Sequence, residues 1–325
     1  MPQDFANIKA AAELAALRPA RDTIATIGVF DGVHLGHQYL LRELKRAASH
    51  AAALSLVVTF VNHPRTVLRP DLPTTYLTSL ERRLALLRAQ SVDLVAPITF
   101  DLALSRLRAA EFLTLLKDRA RVHGLVVGPD FAMGREREGT VPVLQTLGRE
   151  MGIAVAVVVP WTLQETAVSS TAVRQALAGG DTVAVARMLG RAFCLDGTVG
   201  HGDRRGNTMG FPTANLQLPA DMALPKDGIY ATWTVLKGRR HLSATSIGVR
   251  PTIGEGLART IETFILDFSG DIYEQPMSLE FAQRLRDELK FDSMHALAQQ
   301  MERDVANARA ALREAEWMLA SSPAR

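Results

Sequence analysis

The sequence predicts an α/β protein of two domains: a Rossmann-like domain over residues 1–187, and an antiparallel β-barrel domain over residues 188–325 that ends in a long helix. Three observations lead to this prediction. The chain has 325 residues, more than one hydrophobic core usually organises. Its first half alternates short β-branched runs with longer amphipathic segments. After about residue 190, short strands separated by glycine and proline replace that pattern.

Five β-branched runs in the first domain are candidate strands, at residues 23–30, 54–60, 92–98, 123–128 and 153–159. Amphipathic patterns between them are candidate helices. Three helices are predicted, each with one set of residues on a single face: Leu40, Leu44 and Ala48; Leu80, Leu84 and Leu87; and Phe112, Leu115, Leu116 and Arg119. We therefore expect a parallel sheet covered by helices.

The second domain contains the short runs LDGTVGHG, GIYATWTVL, LSATSIGV, TIETFILDF and MSLEFAQRL. They are typical of an antiparallel barrel or sandwich, and we expect the barrel. Residues 291–319 follow with apolar side chains three and four positions apart. This spacing predicts one long helix, capped by Asp292 or Ser293.

Composition excludes several classes of protein. With 37 basic and 34 acidic residues the net charge is +3, so we expect no nucleic-acid partner. Cys194 is the single cysteine, which excludes an internal disulfide and a zinc site of paired cysteines. The N-terminal residues lack a signal-peptide pattern, and the apolar runs fall short of the roughly 20 residues that span a bilayer. We expect a cytoplasmic protein without a membrane partner.

The first candidate site is the segment GVFDGVHLGHQYLLREL, which begins at Gly28 where the first strand ends. Gly32 and Gly36 let the backbone approach a ligand closely. His34 and His37 lie three apart, so on a first helical turn both imidazoles face one side, beside unpaired N–H groups. This arrangement suits an anion such as the phosphates of a nucleotide. The same residues could instead form only a turn and the start of a surface helix.

Two later segments favour the nucleotide interpretation. VSSTAVR places Ser169, Ser170 and Thr171 at a predicted helix start, with Arg174 one turn further along. These hydroxyl groups and the guanidinium suit a second phosphate-binding site. GPDFAMGREREG, residues 128–139, follows a strand and resembles a loop that shapes a nucleotide and flavin pocket.

The second candidate site is GTVGHGDRRGNTMGFPTANL, which matches neither a Walker loop nor a dinucleotide fingerprint. Thr213 and Asn215 are two positions apart in an extended stretch, so their oxygens share one face and suit Mg²⁺ together with nucleotide phosphates. In TIETFILDF, alternation places Glu262 on one face with Phe264, Leu266 and Phe268, where a carboxylate could deprotonate an alcohol. The alternatives are a glycine-rich hairpin and a solvent-exposed glutamate at the barrel mouth.

HLGH in its strand-to-helix position resembles the His-x-Gly-His signature of the nucleotidylyltransferase superfamily. GFPTANL, GIYA, SIGVRPTIG, the Glu262 strand, DIYE and LRDELKF resemble riboflavin kinase. Together with TFVNHPR, GPDFAMGRER and VSSTAVR, they resemble the prokaryotic bifunctional riboflavin kinase/FMN adenylyltransferases, also called FAD synthetases. The resemblance runs in family order from about residue 20 to about residue 305.

The resemblance implies that ATP phosphorylates riboflavin to FMN, and that FMN then attacks the α-phosphorus of a second ATP to give FAD and pyrophosphate. Riboflavin, FMN, ATP and Mg²⁺ are the implied partners. The implied residues are, for catalysis, His34, His37 and Glu262; for ATP, Gly28, Phe30, Asp31, Gly36, Ser169, Ser170, Thr171, Arg174, Gly202, Gly206, Gly210 and Pro212; for flavin, Phe60, Asn62, Pro64, Asp130 and Arg286; and for the metal, Thr213 and Asn215.

The chain departs from the family pattern at Val61, Asn62, Ala132, Met133 and Glu274, and four of these bear on the flavin side of the first pocket. Two alternatives stay open: a chain with one working module, and a non-catalytic nucleotide- or RNA-binding protein. No KMSKS-like segment supports the second alternative. The C-terminal helix and the domain surfaces could support a homo-oligomer.

Overall fold

A computed structural model describes residue 5 and residues 7–163, 166–200, 212–251 and 257–321. The chain divides into two compact units, Met1–Ser170 and Thr171–Arg325. The sequence predicts the domain boundary after residue 187. A division of the chain into compact units does not decide where a functional domain begins, so that boundary stays a prediction.

The described elements of the first unit are α1 (Lys9–Ala15), β1 (Thr23–Gly28), α2 (Leu35–His50), β2 (Leu54–Phe60), α3 (Pro64–Leu68), α4 (Leu80–Arg88), β3 (Leu94–Ile98), α5 (Leu102–Ser105), α6 (Ala109–Ala120), β4 (Val122–Val127), β5 (Ala132–Met133), β6 (Gly139–Thr140), α7 (Val141–Met151), β7 (Ala154–Val157), β8 (Thr162–Leu163) and β9 (Thr166–Ala167). The next helix, α8 (Ser170–Gly179), begins at the last residue of this unit.

The central sheet of the first unit is parallel, with strand order β3-β2-β1-β4-β7, and its strands match the five predicted runs. From β1 the chain builds outward to β2 and β3 on one side and to β4 and β7 on the other. The order therefore reverses between β1 and β4, and ligands bind beyond the carboxyl ends of the strands at such a point. The predicted Rossmann-like architecture is confirmed.

Helices cover both faces of this sheet because its central strands are apolar on both sides. On one face, Leu41, Leu44 and Ala48 of α2 pack against Ile24 and Val57. On the other face, α1, α6 and α7 pack on alternate residues of the same strands. The predicted helices are confirmed, but Leu40, Leu80 and Leu84 are only partly buried and Arg119 is exposed.

The described elements of the second unit continue with α9 (Thr182–Leu189), β10 (Phe193–Gly200), β11 (Thr213–Gln217), β12 (Gly228–Leu236), β13 (Arg239–Pro251), β14 (Leu257–Ile265), β15 (Pro276–Arg286) and α10 (Met294–Ser321). The strands close into an antiparallel barrel in the order β10-β11-β14-β13-β12-β15. The predicted barrel is confirmed.

Hydroxyl groups occupy part of the buried side of the barrel wall. Thr232 Oγ1 lies 2.8 Å from Ser243 Oγ and 2.7 Å from Thr245 Oγ1. Thr245 in turn donates to Thr263 Oγ1 at 2.8 Å. These side chains are fully buried, so each hydroxyl needs the partner that the neighbouring strand supplies.

The long C-terminal helix is confirmed, with Ser293 as its cap: the Ser293 hydroxyl accepts from the backbone N–H of Ala296 at 3.2 Å. Ala308 and Leu312 of α10 pack against Ala231 and Trp233 on the outside of the barrel. In the described part of the chain, every helix is too short or too polar to cross a lipid bilayer.

Candidate active sites

The histidine pair lies where α2 begins, directly after β1. His34 is the N-cap residue, with extended backbone (φ −70°, ψ 170°), and its Nδ1 accepts from the backbone N–H of His37 at 3.3 Å. The two imidazole rings stack, with centroids 3.6 Å apart and planes 20° apart. Because Nδ1 of His34 acts as an acceptor, a neutral His34 carries its proton on Nε2, where it can be donated.

The His37 ring has a buried nitrogen and an aromatic neighbour. Its Nδ1 is buried without a hydrogen-bond partner among the described residues, and the Phe30 ring contacts it edge-on, with centroids 5.1 Å apart. Burial, together with the nearby His34, lowers the pKa of His37 well below its usual 6.5. His37 is therefore neutral near pH 7, and its ring nitrogens rather than a positive charge are what it can offer to a ligand.

Gly36 allows the start of α2 to approach the segment before α8. A Cβ at this position would lie 3.0 Å from the carbonyl oxygen of Val168 and 3.2 Å from the His34 ring. Ser170 Oγ also donates to the Asp31 carbonyl oxygen at 2.9 Å, which links the start of α8 to the loop before α2. The structure thus brings together the HLGH segment and the start of the VSST segment. Thr171 and Arg174 follow on α8 in the second unit.

Asp31 organises the loop between β1 and α2 from inside. Its carboxylate is 2% exposed and accepts from the N–H of Leu77 at 2.9 and 3.0 Å and from the N–H of Thr78 at 3.2 Å. The Thr78 hydroxyl accepts from Gly32 N–H at 3.3 Å. The carboxylate oxygens of Asp31 therefore accept hydrogen bonds from the protein itself, and the part of Asp31 in ATP binding stays a prediction.

Of the predicted flavin residues, Phe60 is the last residue of β2, and Asn62 and Pro64 follow it. Asn62 donates from Nδ2 to the Phe100 carbonyl at 2.8 Å and accepts from the Phe100 N–H at 3.1 Å. The Phe60 ring meets the Phe100 ring edge-on at 5.5 Å. Pro64 occupies the first turn of α3. Asp130 follows β4, the strand next to β1, where its carbonyl oxygen accepts from Arg137.

Arg83 is a candidate functional residue that the sequence reasoning missed. It is 1% exposed, and its Nη2 donates to the Phe60 carbonyl at 2.6 Å, while Nε and Nη1 have no partner among the described residues. Burial lowers the pKa of Arg83 from its usual value. A signal did exist: Arg83 lies between Leu80 and Leu87 on the predicted apolar face of α4, where a charged residue is unexpected.

In the second unit, strand register aligns the predicted kinase residues. Asn215 of β11 pairs with Glu262 of β14, and Glu262 pairs on its other side with Ser246 of β13. Paired residues project to the same face, so these three side chains form a row across three strands. The hydroxyl of Thr213, on the same face, lies 3.5 Å from Oε2 of Glu262.

One part of the Glu262 prediction is wrong. Phe264 shares its face, but Phe268 does not continue it, because β14 ends at Ile265 and Asp267 takes a left-handed φ of 54°. Strand alternation cannot pass through such a turn.

Thr213, Asn215 and Glu262 present oxygen atoms on one face, which fits a hard cation such as Mg²⁺. Among the described residues, no group of three or more His, Cys, Asp or Glu side chains could hold a metal by itself. An ion here would therefore draw further ligands from phosphates and water. Pro212 is exposed directly before β11, and Gly202, Gly206 and Gly210 lie outside the described residues.

Two further features surround this face. The Glu288 carboxylate occupies the space that a side chain at Gly248 would fill, two residues from Ser246 on β13. Glu274 has a φ of 61°, in the left-handed region that favours glycine.

A parallel α/β unit with a histidine pair at a helix start, joined to a closed barrel with an aligned amide, carboxylate and hydroxyl, defines a nucleotide-dependent transferase with two sites. Family models agree: residues 17–172 match FAD synthetase and residues 189–312 match riboflavin kinase. The chain belongs to the bifunctional riboflavin kinase/FMN adenylyltransferase family.

Individual relatives support this membership. The chain is 40% identical over 297 residues to the bifunctional riboflavin kinase/FMN adenylyltransferase of Pseudomonas fluorescens, covering 90% of this chain and 94% of that one. It is 34% identical to the protein of the same name from Listeria monocytogenes, covering 88% and 91%.

A solved structure from Streptococcus pneumoniae, described as a macrolide-efflux protein, superposes with a TM-score of 0.84 at 29% identity, covering 91% of this chain and 96% of that one. The architecture is therefore shared. Because one fold hosts many functions, that description is not carried over to this chain.

Proposed function

We propose that this chain makes FAD from riboflavin in two ATP-dependent steps, one in each unit. The barrel unit transfers the γ-phosphoryl group of ATP to the 5′-hydroxyl of riboflavin, giving FMN and ADP. The α/β unit joins FMN to the adenylyl group of a second ATP, giving FAD and pyrophosphate. The observation that carries the proposal is the register that places Asn215 and Glu262 side by side, in a chain whose other unit holds the stacked histidines.

For the kinase step, Glu262 accepts the proton of the riboflavin hydroxyl as that oxygen attacks the γ-phosphorus. Thr213 and Asn215 hold Mg²⁺, which neutralises charge on the ATP phosphates. The glycine-rich segment before β11, with Gly202, Gly206, Gly210 and Pro212, binds ATP. The half-buried position of Glu262 beside Phe264 supports this assignment, because limited access of water keeps the carboxylate available to the hydroxyl.

For the adenylyl step no strong base is needed, because the attacking FMN phosphate is already anionic. His34 and His37 donate from their ring nitrogens to oxygens of the ATP phosphates, together with the free N–H groups at the start of α2. Gly28, Phe30, Asp31 and Gly36 shape this cradle. Ser169, Ser170, Thr171 and Arg174 are proposed to bind the β- and γ-phosphates that leave as pyrophosphate.

The flavin of FMN is proposed to lie beyond the carboxyl ends of β2 and β4, against Phe60, Asn62, Pro64 and Asp130. Arg286 is proposed to act in the segment that closes over riboflavin in the barrel. We further propose a cytoplasmic protein without a nucleic-acid partner, supported by a single cysteine in the sequence and a net charge of +3.

The test is to incubate the purified protein with riboflavin, ATP and MgCl₂ and to separate the flavins by chromatography. Glu262→Gln should abolish FMN formation yet leave conversion of supplied FMN to FAD. His34→Ala should do the reverse. Glu280→Gln is the matched control, because Glu280 also lies on a barrel strand but pairs with Arg240. Loss of both activities by either single change in a folded protein would contradict the assignment to two sites.

A further inference from the structure

The C-terminal helix is tied to the end of β15 by a two-pronged ion pair. Arg286 donates from Nε to Oδ1 of Asp304 at 2.8 Å and from Nη2 to Oδ2 at 2.5 Å. Asp304 is only 5% exposed and also accepts from Gln300 Nε2 at 3.0 Å. A fork of this kind fixes orientation as well as distance, which a single hydrogen bond does not.

The third nitrogen of Arg286 extends the connection into the next segment. Nη1 donates to the carbonyl oxygen of Asp287 at 2.8 Å, so the guanidinium holds the backbone directly after β15. The following residue is Glu288, whose carboxylate lies against Gly248 of β13. Gly248 is two residues from Ser246, which pairs with Glu262. A continuous set of contacts and strand pairs therefore leads from Asp304 to the row that contains Glu262.

The part of α10 that carries Asp304 is anchored on the barrel. One turn further along α10, Ala308 packs with Leu312 onto Trp233 in the barrel wall, and both side chains are fully buried. The helix is thus a fixed part of the unit, and its aspartate is a fixed partner for Arg286. Neither the periodicity of the helix nor any motif pointed to Asp304.

We propose that Asp304 is a positioning residue of the riboflavin kinase site, acting through Arg286 on the LRDELKF segment that borders the flavin. The inference rests on the proposed kinase function. Asp304 itself touches no substrate. It holds Arg286, and Arg286 holds the backbone that presents Glu288 beside Gly248, so the pair sets the shape of the riboflavin pocket.

The experiment measures both reactions of the full chain in the variants Asp304→Asn, Arg286→Ala and the double variant. Asp304→Asn should raise the KM for riboflavin by about tenfold or more, with kcat and the KM for ATP nearly unchanged, because the pocket changes and the reacting groups do not. Conversion of FMN to FAD should be unaffected and reports that the first unit is folded, while thermal unfolding followed by circular dichroism reports on the second unit. Glu302→Gln, a charge loss at an exposed position of the same helix, is the matched control.

The double variant should be no worse than Arg286→Ala alone, because residues that act as a unit are not additive. An unchanged riboflavin KM in Asp304→Asn, even with a lower unfolding temperature, would overturn the inference, as would additive effects. If Asp304→Asn does not fold, Arg286→Lys is the second variant. It keeps the positive charge but loses the two-pronged ion pair with Asp304, and it should raise the KM for riboflavin to a similar extent. A wild-type protein that binds riboflavin but makes no FMN would refute only the proposed kinase reaction. Riboflavin affinity, measured by flavin fluorescence, would then be the test of Asp304.

Discussion

The imidazole rings of His34 and His37 stack with their centroids 3.6 Å apart, while the backbone N–H of His37 donates to Nδ1 of His34. Two positive charges at this separation would repel strongly in a buried site. The arrangement therefore disfavours a pair in which both rings are protonated, and burial makes His37 the neutral member.

The neutral state of His37 makes the stability of the first unit depend on pH. Because the pKa of His37 is lower in the folded protein, the unfolded chain binds more protons below about pH 6.5. We expect the free energy of unfolding to fall as the pH drops below that value. Above it, the contribution of His37 to the free energy of unfolding should be constant. Hydrogen exchange of the first unit at several pH values measures this dependence.

The His37→Gln variant should flatten that pH dependence, since the residue no longer titrates. His50→Gln, an exposed change at the end of the same helix, should leave it as in the wild type. Identical slopes in wild type and His37→Gln would contradict the assignment.

Removing the Asp31 carboxylate should loosen the loop before α2. In Asp31→Ala the backbone N–H groups of Leu77 and Thr78 lose their acceptor inside the protein, which costs about 3 kcal/mol of stability. We expect a raised KM for ATP in FAD synthesis and unchanged FMN formation. Urea unfolding and steady-state kinetics measure the two effects. Asp31→Asn keeps one acceptor oxygen and should lose less, so an equal loss in both variants would argue against this hydrogen-bonding role.

Arg83 should matter more for flavin affinity than for stability. Arg83→Met replaces a buried charge by an apolar side chain of similar length, so we expect stability within about 2 kcal/mol of the wild type. Without its donor to the Phe60 carbonyl, the segment that carries Asn62 and Pro64 should shift and raise the KM for FMN several-fold. Kinetics of FMN adenylylation test this. Arg88→Met, an exposed change on the same helix, should not raise that KM.

A side chain at Gly248 should impair only the kinase. In Gly248→Ala the new Cβ enters the space of the Glu288 carboxylate, so the Glu288 side chain must leave its position beside β13. We expect FMN formation to fall by about tenfold, with FMN adenylylation retained. Gly179→Ala meets no atom within 4 Å and serves as the control. Full kinase activity in Gly248→Ala would show that the position of Glu288 does not matter for the reaction.

Much of the fold could be predicted because it follows from local periodicity. β-Branched runs bounded by turn residues marked the strands of the parallel sheet, and spacings of three and four marked α2, α6 and α10. The end of β14 could not be predicted in this way. TIETFILDF alternates through Phe268, yet the strand stops at Ile265, because Asp267 turns the chain with a φ of 54°.

By itself, the sequence determined which residues can do chemistry: the histidines of HLGH, the oxygens of PTAN and Glu262, together with the type of element that carries each. The tertiary structure decided which of them meet. The pairing of Asn215, Glu262 and Ser246 is a matter of strand register, and the contacts of Arg83 with Phe60 and of Arg286 with Asp304 join residues 23 and 18 positions apart. Such contacts depend on how separate elements pack, and local spacing carries no information about that packing.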